Sequence, residues 1–158
     1  MSTGEQPASI HEMQPGDGFN PGLAAKLMNK RGHGGHIGLT YHAHGPNWFE
    51  LALPWREELT GMAGSGILAS GPIISLMDNC TSMSVWTMIG RFLPHATLDL
   101  RVDYMRAAVP GRTVIGRGEC YKLTRSVAFV RGMAYDGDLG DPVAHATGIF
   151  MATHGTYK

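Results

Sequence analysis

Between Pro72 and Gly90 the chain reads "PIISLMDNCTSMSVWTMIG" and carries one charged residue, Asp78. Ile73, Ile74, Leu76, Met77, Cys80, Met83, Val85, Trp86, Met88 and Ile89 leave no polar face wide enough to meet water. A helix apolar nearly all round must be enclosed on most sides. Pro72 suits its first turn, where a backbone N–H has no partner anyway, and Gly90 suits its end. The sequence predicts Gly71 as the N-cap, with Ser70 just before it. Downstream come four strand-like runs, "ATLDLRVDYMRA", "TVIGRGECYKL", "SVAFVRGMAY" and "PVAHATGIFMAT". The turn signals "VPGR", "LTR" and "DGDLGD" separate them. In the first run, strict alternation puts Leu98, Leu100, Val102 and Tyr104 on one face, opposite Asp99, Arg101 and Asp103.

Upstream, Asn20-Pro21 opens a short helix with an apolar stripe of Leu23, Leu27 and Met28, which "RGHGGH" ends. A hairpin is expected next, with strand 37–44, the turn "GPN" and strand 47–53. A glycine-dense loop then leads to the long helix. Consecutive strands joined by short turns pair antiparallel, which gives an α+β class. The expected architecture is a curved antiparallel sheet of about six strands wrapped around one long central helix. Residues 1–18, polar and rich in Gly and Pro, are expected to form a flexible tail, and 19–158 one domain.

Thirteen basic residues balance thirteen acidic ones. With no basic run, the chain has no field to attract nucleic acid or an anionic membrane. Only 16% of residues are charged, which suggests that a second copy of the chain covers part of the surface. Cys80 and Cys120 form no CxxC pair and are expected to be buried thiols. The N-terminal residues show no signal-peptide pattern, and no apolar run reaches membrane-span length, so a cytoplasmic location is expected. His33, His36, His42 and His44 cluster within twelve residues. No acidic or cysteine partner closes a zinc site with them, so no metal is expected. No glycine stretch has nucleotide-loop spacing.

The candidate chemistry sits at the start of the long helix. Free N–H groups there, with the positive end of the helix dipole, attract an oxygen that becomes anionic during reaction. Asp78 lies two turns in. Ser75 and Ser82, at i−3 and i+4, place it on a narrow polar stripe. A lone carboxylate of this kind often serves only to bond a neighbouring backbone group or to sit at a subunit interface.

The segment "ASGPIISLMD" resembles the helix start of the hotdog-fold acyl-CoA thioesterases of the phenylacetate-pathway type. There "HGG" and an apolar stretch precede an acid nine residues after the His. "TLDLRVDYMRAAVPG" is similar to the family's central strand, and "LTRSVAFVRGMAYDGDLGDPVAHATGIFMA" to its closing strands. The resemblance spans roughly residues 35–153. It implies a hotdog fold and hydrolysis of an acyl-CoA thioester, with Asp78 as nucleophile or as the base that activates water. It implies further that the backbone N–H groups at Ser70 and Gly71 polarise the carbonyl and that the Thr97 hydroxyl orients water. Arg125 and Ser126 become candidates for touching CoA, and Ser82 for lining the substrate. No cofactor beyond the CoA of the substrate is implied.

Two positions depart from the pattern. The family's His is Ala69 here, and its Asn is Ala63. Loss of one oxyanion donor costs about 10²–10³ in rate. A non-catalytic acyl-CoA-binding protein is therefore the alternative from another class. A thioester hydratase or dehydratase is a further one, disfavoured because no His is expected near the helix start. Ser70 and Asp78 are eight residues apart, roughly 12 Å along a helix. A carbonyl's two atoms are ~1.2 Å apart. A homodimer with sites shared between chains, alone or as a dimer of dimers, is expected.

Overall fold

The long helix α3, Ser70–Ile89, lies across the inner face of an antiparallel sheet. The computed structural model describes residues 19–158; the tail expected over 1–18 lies outside them. Two short helices come first, α1 (Pro21–Met28) and α2 (Gly32–Ile37). Strands β1 (Thr40–His44) and β2 (Trp48–Leu53) precede α3. Strands β3 (His95–Tyr104), β4 (Val114–Leu123), β5 (Val127–Tyr135) and β6 (Ala144–Ala152) follow it. All neighbours pair antiparallel in the order β1-β2-β4-β5-β6-β3.

Glycines set how closely helix and sheet approach. A Cβ on Gly118 of β4 would stand 2.4 Å from the Cys80 carbonyl oxygen, and one on Gly116 would stand 2.6 Å from the Leu76 side chain. Backbone therefore lies on backbone, and Leu76, Met77, Cys80 and Met83 are buried in the core so formed. The buried hydroxyls on this face are satisfied within the helix: Thr81 donates to the Met77 carbonyl at 2.7 Å and Ser84 to that of Thr81 at 2.6 Å.

Three local expectations need correction. "GHGGHI" forms a separate short helix, closed by Gly38 in the left-handed region at φ 79°, so β1 begins at Thr40 rather than at 37. The N-cap of α3 is Ala69, not Gly71, and the helix begins at Ser70. Strict alternation fails in β3. The register with β6 shifts between Thr97 and Asp99, and Leu98 is 56% exposed, while Leu100 and Val102 pack on the core. The bulge changes the strand's phase. As a result Thr97, upstream of it, faces α3 together with Leu100 and Val102 downstream. Tyr104 keeps the phase of Leu100 and Val102, and at the strand's end it is 43% exposed and reaches the start of α3.

Candidate functional site

Residues 71, 75, 78 and 82 fall on one face of α3, spaced by four, three and four, and each polar side chain on this stripe has a partner from outside the helix. Ser75 Oγ lies 2.8 Å from His33 Nε2. Asp78 Oδ1 accepts from Thr97 Oγ1 at 2.9 Å. Ser82 Oγ lies 2.8 Å from His95 Nε2. Asp78 is half-buried, so it meets solvent while its neighbours on either side of the stripe, Met77 and Cys80, are fully enclosed.

The head of the stripe is the helix start. Ala69 has no side chain to cap it. Pro72 occupies the third helical position and has no N–H to offer. Among the described residues, the N–H groups of Ser70 and Gly71 have no acceptor. Two unsatisfied donors therefore point out of the positive end of a twenty-residue helix. A Cβ built on Gly71 would meet nothing within 4 Å, so the space beside its Cα is open.

Two residues missed by the sequence reading hold this end. Tyr104 Oη donates to the Ser70 carbonyl at 3.0 Å. Burial raises the Tyr104 pKa. His33, set aside above as a metal ligand, comes from α2 to Ser75, one turn into α3. An imidazole does therefore stand near the helix start, contrary to the expectation from sequence. Nothing local in "RGHGGH" signals this, since the contact joins residues 42 apart. Tyr104 was visible only as the aromatic that ends its strand.

His95 completes the stripe from the first residue of β3. It packs among Trp86, Phe150 and Tyr157, and burial lowers its pKa to about 4. Its Nδ1 has no hydrogen-bond partner among the described residues. Both thiols are buried and free; burial raises the pKa of Cys80 strongly and that of Cys120 to about 11, so neither is a ready nucleophile.

The remaining candidates lie elsewhere. Ala69 is the N-cap itself, with Gly61 packed beside it. Ala63 is exposed, in a loop whose turn is closed by Ser65 donating to the Met62 carbonyl. Arg125 and Ser126 form the β4–β5 turn. Their carbonyls accept from Tyr157 and Ala152, and the C-terminal residues there bond Arg91, beyond the end of α3. Within one protomer the structure places this turn at the opposite end of α3 from Ser70.

Other charged groups are structural. Arg106 clamps Asp136 at 2.6 and 3.2 Å and Asp141 at 2.9 Å, which ties the turn after β3 to the β5–β6 connection and holds the Asp136 pKa below the usual carboxylate range. A concavity of about 430 Å³ lies on the outer face of the sheet, away from α3. Its guanidiniums, Arg117 and Arg131, are already paired with Glu50 and Glu119. Among the described residues no His, Cys, Asp and Glu cluster could hold a metal, and no helix is long and apolar enough to cross a membrane.

Comparison with known proteins bears on the fold and the family. No curated protein matches the chain. A Pseudomonas aeruginosa protein of known structure is 40% identical, over 74% of this chain and 87% of its own, with a TM-score of 0.68. A thioesterase of Haemophilus influenzae shares the fold at 17% identity and a TM-score of 0.70, over 88% of this chain and 94% of its own. A mutant of the phenylacetic acid degradation protein PaaI from Thermus thermophilus shares it at 24% identity and 0.63, over 75% and 96%. The family described as the thioesterase superfamily matches residues 65–143, half of the chain, from the loop before α3 through β5. With a curved six-stranded antiparallel sheet around one central helix, the chain has the hotdog fold and belongs to the thioesterase superfamily, whose chemistry is thioester hydrolysis.

Proposed function

We propose that the protein hydrolyses an acyl-CoA thioester to the free acid and CoA, with Asp78 at the reacting carbon and the start of α3 at the carbonyl oxygen. The observation that carries this reading is the pairing of two unsatisfied N–H donors, Ser70 and Gly71, with a solvent-reachable carboxylate on the same helix face. The donors match an oxyanion. Thr97 occupies Oδ1 of Asp78, which leaves Oδ2 to take a proton from water.

The chemistry balances without a cofactor. Water oxygen bonds to the carbonyl carbon as its proton passes to Asp78, and negative charge develops on the oxygen facing the helix start. Collapse of the tetrahedral intermediate breaks the C–S bond, and CoA leaves as a thiolate that takes up a proton. Direct attack by Asp78 to form an anhydride, followed by water, uses the same placement.

Each site is built from two chains in this reading. Roughly 12 Å of helix separates Ser70 from Asp78 in one protomer, too far for both to act on one carbonyl. Antiparallel packing of two α3 helices about a two-fold axis sets each start beside the partner's Asp78. The edge residues Leu98, Tyr104 and Met105 and the helix residue Ile74, each 43–62% exposed, supply surface for such packing. The Arg125–Ser126 turn then becomes available to the CoA bound by the other chain.

Two experiments test this. Purified protein with a panel of acyl-CoAs and a thiol-detecting reagent should release free CoA; saturable binding without release would favour the binding-protein alternative raised by Ala63 and Ala69. For the shared site, Asp78→Ala and Ser70→Pro homodimers should each be nearly inactive while folded by circular dichroism. After subunit exchange, each heterodimer has one intact site, and activity should return to about half that of wild type. Inactive heterodimers would overturn the two-chain arrangement.

A further inference from the structure

We infer that Tyr104 and His33 are positioning residues for the oxyanion site, clamping from two different elements the two successive carbonyls of the helix start; the inference rests on the thioesterase reading. The observations are three hydrogen bonds. Tyr104 Oη donates to the Ser70 carbonyl at 3.0 Å. Ser75 Oγ donates to the Gly71 carbonyl at 3.0 Å. His33 Nε2 lies 2.8 Å from the same Ser75 oxygen. A hydroxyl has one proton. With that proton on Gly71, His33 must be the donor to Ser75, so the chain runs from His33 through Ser75 to Gly71.

The Tyr104 bond acts directly on a donor, while the Ser75 bond fixes the carbonyl that follows it. The Ser70 carbonyl and the Gly71 N–H belong to one peptide unit. A hydrogen bond accepted by that carbonyl polarises the unit and strengthens its N–H as a donor. The Gly71 N–H is one of the two left without an acceptor. The helix start also needs fixing from outside. Its N-cap is Ala69, which makes no side-chain bond, and its second residue is a glycine with open space around it. A glycine there is free to leave helical geometry unless something holds it. Tyr104 comes from β3, the strand that also carries Thr97, so one strand fixes the donor end of one site and the water-orienting hydroxyl of the other.

The test uses the full-length protein in one acyl-CoA assay. The variants are Tyr104→Phe, Ser75→Ala, His33→Ala and His33→Gln, with wild type and Asp78→Asn alongside. Expected for Tyr104→Phe and Ser75→Ala is a fall in kcat of about tenfold or more with KM within about twofold, since only the transition-state oxygen feels the change. His33→Gln, which keeps an N–H donor for Ser75, should retain more activity than His33→Ala. Independently of turnover, Tyr104→Phe should move the Gly71 amide nitrogen resonance upfield, as its peptide carbonyl loses a donor. Unchanged kcat in Tyr104→Phe and Ser75→Ala, with wild type active and Asp78→Asn inactive, would overturn the positioning inference alone. Loss expressed only in KM or in thermal stability would assign these residues a merely structural role. Absence of CoA release by wild type on every thioester would overturn the thioesterase reading and this inference with it.

Discussion

The Thr97 hydroxyl donates to Oδ1 of Asp78 across 2.9 Å, and it can do so because a bulge between Thr97 and Asp99 turns it toward the helix. In unbroken alternation Thr97 would share the outward face of Asp99. Thr97→Val keeps the shape and removes the donor. We expect kcat to fall about 10- to 100-fold with little change in stability, because the residue is exposed. Thr97→Ser should keep most of the activity. Equal losses in both variants, measured by CoA release, would show that the hydroxyl is not the reason.

His95 makes the fold sensitive to mild acid. Burial lowers its pKa to about 4 from a model-peptide value of 6.5. The folded state thus holds the neutral ring while the unfolded chain takes up a proton below about pH 6.5. This contribution is complete above that pH and is lost progressively as pH falls toward 4, by about 3 kcal/mol in all. Urea unfolding at pH 7.5 and 4.5 should show a smaller pH effect in His95→Gln than in wild type. Identical slopes would contradict the assignment.

The bare N-cap is a site where stability and function should oppose each other. Since Pro72 has no N–H, a capping side chain at position 69 could reach only Gly71 among the usual acceptor-seeking donors. Ala69→Ser should therefore stabilise the protein by roughly 0.5–1 kcal/mol and slow hydrolysis, by occupying the donor meant for the substrate. Thermal melts and steady-state kinetics on the one variant check both halves. A stabilised variant with undiminished kcat would show that Gly71 does not meet the oxyanion.

Gly118 marks the closest approach of sheet and helix. A methyl group there would sit 2.4 Å from the Cys80 carbonyl oxygen and 2.5 Å from Thr81 Cα, both backbone atoms that cannot swing away. Gly118→Ala should cost about 3 kcal/mol or more, the upper end of overpacking. Gly71→Ala, with nothing within 4 Å, should fold normally. Comparable unfolding midpoints for the two variants would contradict this account of the helix–sheet contact.

The helix, the antiparallel strands and Asp78 were legible because each rests on local pattern: apolar periodicity, turn chemistry and a charge out of place. What remained hidden depends on contacts distant in sequence. His33 meets Ser75 across 42 residues and Tyr104 meets Ser70 across 34, and neither pairing leaves a periodic trace. The bulge that aims Thr97 adds one unpaired residue, Leu98, whose apolar side chain fits the alternating pattern it breaks. Helix α2 was lost because five of its six residues and its closing cap are the glycines and histidines that usually mark loops.

The account stands or falls on whether the carboxylate of Asp78 acts on substrate. Asp78→Asn keeps the shape and an acceptor for Thr97 but removes the negative charge. The direct measurement is CoA release from an acyl-CoA by wild type and by Asp78→Asn, each verified as folded by circular dichroism. The expected result is near-complete loss of turnover in a variant at least as stable as wild type, since a half-buried charge on an apolar helix has been removed. Unchanged turnover in folded Asp78→Asn would contradict it.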